Sequence, residues 1–336
     1  MKVVPINTEK DFYEIFLDDL INDSCAGHKN IIYRGQTDNG WGLIPNIHRT
    51  HTFENWAYDF WGTGEWSTND KALPPNSLIQ AQIENTLLSR FLQSIEESNY
   101  SIPELNFKKN IFGWENLYSF QVNENDTYPN KKYEDLTAIA QHYGIPTRML
   151  DWSKDYLVSL YFALQPSRYG FSHFSVFSLD TNVALSHIHP NSIYNQNSTS
   201  FHQEAFEFRN AQLGFLNIIY APTHLCPNMK AQKGCLTYLN NTAGAKLNYH
   251  YDLIEYFNNL DRVNNEAMKL VHGQDFETDN QHPVALKKYV FHPALAKFVM
   301  KWLYVHNINE GTIFPDLNGI ASNTKQIVRR YKYFDK

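Results

Sequence analysis

Short apolar runs of strand length and longer amphipathic stretches of helix length follow one another along this chain in no regular alternation. That irregular mixture is what most narrows the architectures open to it. With no internal repeat, it sets the class as α+β. Strand-like runs are expected at 3–6, 30–36, 174–179, 216–220, 234–239 and 289–291. A first helix, capped by Thr8, carries Phe12, Ile15, Phe16 and Leu20 inward. A second opens on the capping box Ser77-x-x-Gln80 and runs Ile79, Ile83, Leu87, Leu88, Phe91, Leu92 and Ile95 along one stripe. A third carries Leu136, Ile139, Ala140 and Tyr143 and is stopped by Gly144 with Pro146 beyond. The next, with Leu157, Leu160, Tyr161 and Leu164, is one that Ser153 can cap. Pro293 at the first helical position begins another, with Leu295, Phe298, Val299, Trp302 and Leu303 inward. A final basic helix lies around Arg329 and Arg330. Residues 50–75 and 180–200 read as polar or loop-rich, 240–282 as polar and partly helical near 253–257, and 309–319 as a turn-rich element.

Composition bounds the partners. At about 150 residues per domain, 336 residues allow one large domain with insertions or two smaller ones, and the 22 Phe, 21 Tyr and 7 Trp can fill a sizeable core. The net charge of −6 comes without a basic block able to neutralise a run of phosphates, which disfavours extended nucleic-acid binding and a nucleic-acid-directed enzyme. No stretch reaches the roughly 20 apolar residues of a membrane span, so no membrane association is expected. Met1-Lys2-Val3-Val4-Pro5 lacks the apolar core of a signal peptide. A cytoplasmic location is therefore expected. Cys25, Cys226 and Cys235 form no CxxC pair and no even framework, and read as reduced, mostly buried thiols.

The familiar motifs are missing. The chain has no GxGxxG after a strand, no GxxxxGK[ST], no HExxH and no GxSxG. His48-x-x-His51 and His187-x-His189 bring no third ligand at a familiar distance, so no metal site is expected. Four islands remain that are too polar for ordinary core: Tyr33-Arg34-Gly35-Gln36, the run from Gln141 to Trp152, Lys230-Ala231-Gln232-Lys233-Gly234, and the run from Phe314 to Gly319.

The first, second and fourth islands, with Trp41-Gly42-Leu43-Ile44-Pro45 and Arg49 between, resemble the FRG domain, a bacterial family named for its (Phe/Tyr)-Arg-Gly motif. On that resemblance residues 1–336 form a single FRG-type domain, with a motif core at about 30–320 and insertions near 50–75, 181–213 and 240–282. FRG domains in turn resemble the ADP-ribosyltransferase fold, a split, twisted β-sheet flanked by helices that binds NAD+ between its halves. The resemblance implies an NAD-utilising ADP-ribosyltransferase or NAD glycohydrolase-like effector, in a bacterial toxin or anti-phage setting and with a protein target or partner. The alternative is a nucleotide-sensing or partner-binding module without turnover.

Cleaving the N-glycosidic bond of NAD+ passes through an oxocarbenium-like state, so a site must hold the pyrophosphate, grip the ring and support positive charge on the ribose. Arg34 suits the phosphate as a bidentate fork. Gly35, Gln36, His142, Tyr143, Thr147, Arg148 and Trp152 complete the expected nucleotide-binding set, with His142, Tyr143 and Trp152 able to lie against a flat ring. The expected catalytic set is Arg34, Thr147, Asp151, Gln232 and Glu310. In the transferase-like fold a later strand offers a glutamate, and here the corresponding segment has Gln232. Structural roles compete for the same residues: Arg34 paired with Asp151 or Asp316, Arg148 and Asp151 pairing and capping a helix start, Trp152 in the core, and Asp316 in a turn.

Overall fold

The computed structural model describes residues 1–25, 30–49, 77–98, 122, 126–164, 172–186, 215–220, 226–242, 252–272 and 284–334. Eight strands form one mixed sheet: β1 (Lys2–Ile6), β2 (Ile31–Gln36), β3 (Thr127–Tyr128), β4 (Leu150–Ser153), β5 (Phe174–Asp180), β6 (Phe215–Ile219), β7 (Gly234–Thr242) and β8 (Leu286–Phe291). Their order is β1-β8-β5-β2-β4-β7-β3, with β6 also paired to β7. Among the described strands only β1 and β8 run parallel; the other pairs are antiparallel. The class is α+β, and all six expected strands are present.

Eleven α-helices are described: α1 (Glu9–Asp11), α2 (Asp18–Cys25), α3 (Ser77–Glu97), α4 (Glu134–His142), α5 (Tyr156–Ala163), α6 (Thr181–Ser186), α7 (Pro227–Ala231), α8 (Leu253–His272), α9 (Ala296–Val305), α10 (Glu310–Ile313) and α11 (Leu317–Phe334). Two cores sit on opposite faces of the sheet, because side chains alternate across a strand. Tyr33, Val176, Tyr289 and Phe291 face one core with Phe12, Phe16 and Val299. Ile32, Phe177, Leu179 and Leu286 face the other with Trp152, Leu253, Tyr256 and Leu260. All seven residues of β5 are buried, as a strand covered on both faces requires.

Local chemistry sets most element ends. Thr8 and Asp11 make a reciprocal capping box, and Phe12, Phe16 and Leu20 are buried. Ile15, expected inward, is instead exposed, because Phe12–Leu17 winds as a π-helix, whose wider i→i+5 turn rotates the residue outward. The stop after α4 is a Schellman motif: Gly144 has φ +91°, its N–H bonds the Gln141 carbonyl and the Ile145 N–H bonds that of Ala140.

Four expectations need correction. Ser153 ends β4 rather than capping α5; Asp155 caps it, accepting from the Leu157 N–H, while the Ser153 hydroxyl accepts from the Asp155 N–H. Residues 181–186, expected in a polar loop, form α6, whose start is fixed by Asp180 accepting from the Asn182 and Val183 N–H groups. The helix near 253–257 continues to His272 and buries Leu253, Tyr256, Phe257 and Leu260 in the second core. Finally, 310–313 are helical rather than turn, capped by Asn309, and the expected final helix begins as early as Leu317. Residues 50–76 and 187–214 lie outside the described residues.

Candidate functional site

Strands β2 and β4 share a single bridging pair, Tyr33 with Ser153. Continuing that antiparallel register would set Arg34 against Trp152, but the strands part instead. The Arg34 guanidinium spans the gap: one terminal nitrogen donates to the Asp151 carbonyl at 2.6 Å and lies 3.9 Å from the Asp151 carboxylate. A side chain thus satisfies a carbonyl on the strand edge where the ladder has ended.

Gly35 is the reason the strand fits where it does. A Cβ there would sit 1.9 Å from the Ser159 carbonyl oxygen and 2.7 Å from the Ala163 nitrogen, both backbone atoms of α5. Only glycine lets the helix cross this close. The parted strands and α5 enclose a cavity of about 560 Å³ whose lining includes Arg34, Gly35, Gln36, Trp41, Arg49, Gln141, His142, Tyr143, Asp151, Trp152, Phe162, Asn228, Gln232 and Phe314.

Eight of the expected residues reach that cavity. The Arg34 side chain is 16% exposed, and burial lowers its pKa, opposed by Asp151 and reinforced by Arg49. Its Nε is buried without a hydrogen-bond partner, as is Oε1 of Gln36, whose amide nitrogen donates to the Gly42 carbonyl at 2.9 Å. The Asp151 carboxylate accepts from the Gln141 amide at 3.0 Å, beside the Arg34 guanidinium, and lines the cavity. Burial lowers the His142 pKa while Asp151 pulls it up, and the His142 ring meets that of Tyr143 edge to face at 5.2 Å. Trp152 is buried, its indole N–H donating to Thr237 at 2.8 Å. Gln232 donates weakly to the Ile313 carbonyl at 3.4 Å. It follows α7 and precedes β7 rather than lying in the strand.

The other expected residues point elsewhere. Thr147 is buried and does not line the cavity; its hydroxyl donates to the side-chain amide oxygen of Gln141 at 2.7 Å, so it acts on Asp151 only through that amide. Arg148 does not pair with Asp151. Its guanidinium forks onto Glu84 with two contacts of 2.8 Å and lies over the Tyr128 ring. Glu310 accepts a hydrogen bond from the Tyr161 hydroxyl and is not part of the lining. Asp316, expected in a turn, instead precedes α11 and caps it, its carboxylate accepting from the Gly319 N–H at 2.7 Å.

Several lining residues were not among those expected. Arg49 and Trp41 belong to the motif that follows β2, which is the available signal. Gln141 heads the second island. Phe162 and Phe314 meet edge to face at 6.2 Å, and as apolar residues they carry no sequence mark of a site. Among the described residues the lining holds two guanidinium groups and one carboxylate, Arg34, Arg49 and Asp151, a surplus of one positive charge beside aromatic walls. Such a surface favours an anionic ligand with a flat ring.

Among the described residues no three His, Cys, Asp or Glu side chains gather as metal ligands, and no helix is long and apolar enough to cross a membrane. Cys226 and Cys235 are buried free thiols. No curated protein and no solved structure matches the chain. A family model, that of the FRG domain, matches residues 29–169. The match takes in β2, the Trp41–Arg49 segment, β4 and α5, and ends before Asn228, Gln232 and Phe314 complete the cavity. By the motif at the mouth of that cavity and by this match, residues 29–169 are an FRG domain.

Proposed function

We propose that the cavity binds NAD+ or a closely related nucleotide and that the chain acts on its N-glycosidic bond, as an ADP-ribosyltransferase or an NAD glycohydrolase. The observation that carries the reading is the convergence of Arg34, Arg49 and Asp151 with aromatic side chains on one cavity, whose volume of about 560 Å³ is in the range of small-molecule sites. The two guanidinium groups take the phosphate oxygens as charge-assisted donors. Asp151, oriented by Gln141 and behind it Thr147, is the carboxylate that faces the ribose. As the C1′–N bond breaks, its electron pair leaves with the nicotinamide nitrogen and positive charge grows on the ribose, where a fixed carboxylate lowers the barrier. Water or a target nucleophile then adds at C1′ and loses its proton.

The test is incubation of the full chain with NAD+, following free nicotinamide and label transfer, beside thermal melts with NAD+ and ADP-ribose. Turnover that Asp151→Asn removes supports the reading; no turnover together with no ligand-induced melting shift refutes it. A toxin or defence setting belongs to the same proposal, and loss of cellular NAD+ on induced expression in a bacterial host is its readout.

One observation favours a second reading, a nucleotide-binding module without turnover. The residue at the segment where the transferase-like fold offers glutamate is Gln232, a neutral amide already turned to Ile313. Melting shifts with NAD+ that Arg34→Ala abolishes, without nicotinamide release, would select it.

A further inference from the structure

Two large aromatic side chains on the cavity wall are left uncovered by the fold: Trp41 is 54% exposed and Tyr143 59%. We propose that Trp41 and Tyr143 form a stacking platform for a heteroaromatic ring of the bound nucleotide, an inference that rests on the nucleotide reading above. Tryptophan is on average highly buried, and a ring left half in water on a loose loop would be unremarkable surface. The loop carrying Trp41 is not loose. Gln36 donates to the Gly42 carbonyl on one side, and Asp252 accepts from the Leu43 N–H at 2.9 Å on the other. Asp38 accepts from the Gly40 N–H at 2.7 Å, and the Lys288 ammonium donates to the Asn39 carbonyl. The chain passes so close to Asp252 that a Cβ on Gly42 would meet its carboxylate at 2.2 Å.

Tyr143 is held in the same manner, as the C-cap residue of α4 just before the Schellman glycine, with its N–H bonded to the Ile139 carbonyl. Both side chains therefore combine a fixed backbone with high exposure beside one cavity. That is the arrangement of a surface prepared for a planar ligand, since ordering cost is already met before binding. Asp252 lies outside the matched segment and acts as a positioning residue for Trp41.

Adenine and nicotinamide share the required chemistry, a flat heteroaromatic ring attached to a ribose phosphate. Calorimetric titration of the full chain with AMP, nicotinamide mononucleotide and inorganic pyrophosphate separates them. Trp41→Ala and Tyr143→Ala each weaken at least one ring-bearing ligand, the tryptophan variant by about tenfold or more. Trp41→Phe regains most of the loss, and pyrophosphate affinity is unchanged throughout. The mononucleotide that loses affinity identifies the ring. Wild-type affinity for both mononucleotides in either alanine variant overturns the platform while leaving the nucleotide reading standing. An equal loss of pyrophosphate also overturns it, because the substitution would then have disturbed the arginines. A wild-type chain that binds neither mononucleotide, NAD+ nor ADP-ribose overturns both readings.

Discussion

Replacing Arg148 with methionine tests whether this arginine serves the fold rather than the ligand. Its side chain is 5% exposed and that of Glu84 6%, and the two are joined by paired contacts of 2.8 Å. Glu84 also accepts from the Gln80 amide at 3.1 Å. Removing the cation leaves the carboxylate buried and uncompensated, at a cost of about 3–5 kcal/mol. At an unfolding entropy of about 2.1 cal/mol/K per residue, the 336 residues give roughly 0.7 kcal/mol/K, so the melting temperature falls by about 4–7 °C. Glu84→Gln alone strands the guanidinium and is similarly damaging. The double variant removes both charges, keeps an acceptor for Gln80 and lies above the sum of the singles by about 2 kcal/mol or more. Urea titration of the four proteins measures the cycle. Additive losses would refute the coupling, and an Arg148→Met protein of wild-type stability that no longer binds nucleotide would refute the structural assignment.

Gly35→Ala drives a methyl group into the α5 backbone and is expected to lower stability by about 3 kcal/mol or more, read as a melting shift with weakened nucleotide binding; an unchanged protein would show that the helix has room to move. For Asp19, burial raises the pKa, but hydrogen bonds from Lys287 and Tyr289 outweigh it and the carboxyl lies below its ordinary value of 3.8. A depressed folded pKa stabilises above the unfolded value and loses that contribution as pH falls through the folded one. Asp19→Asn therefore melts lower than the native chain at pH 7, and the gap closes below about pH 4; a gap constant across that window would refute the linkage. Burial pushes the Cys235 thiol up to about 12 and raises that of Cys226, so both resist alkylation at pH 8 until the chain unfolds, as peptide mapping of labelled protein would show.

Much of the fold is local and was legible. The Thr8 cap, the glycine stop at Gly144 and the strand carrying Arg34 each depend on a few neighbouring residues. The departures have equally local causes once seen: the π-turn that rotates Ile15 out, and Asp155 taking the capping role two residues beyond Ser153. At the site, Arg34, Gln36 and Asp151 stood out because polar residues interrupt apolar runs. Phe162 and Phe314 did not, since an apolar residue lining a cavity has the same sequence signature as one in the core.

Residue type and spacing by themselves determined the α+β class and the strand that carries Arg34, because those follow from backbone periodicity within each element, whereas the need for glycine at position 35 comes from the α5 backbone packed against it. Which polar groups share a space was decided only by tertiary structure. Arg148 and Asp151 are three residues apart, yet one is claimed by Glu84 across 64 residues of chain and the other by Arg34 across 117. A buried charge goes to whichever partner the packed elements bring within reach, and no local pattern encodes that meeting.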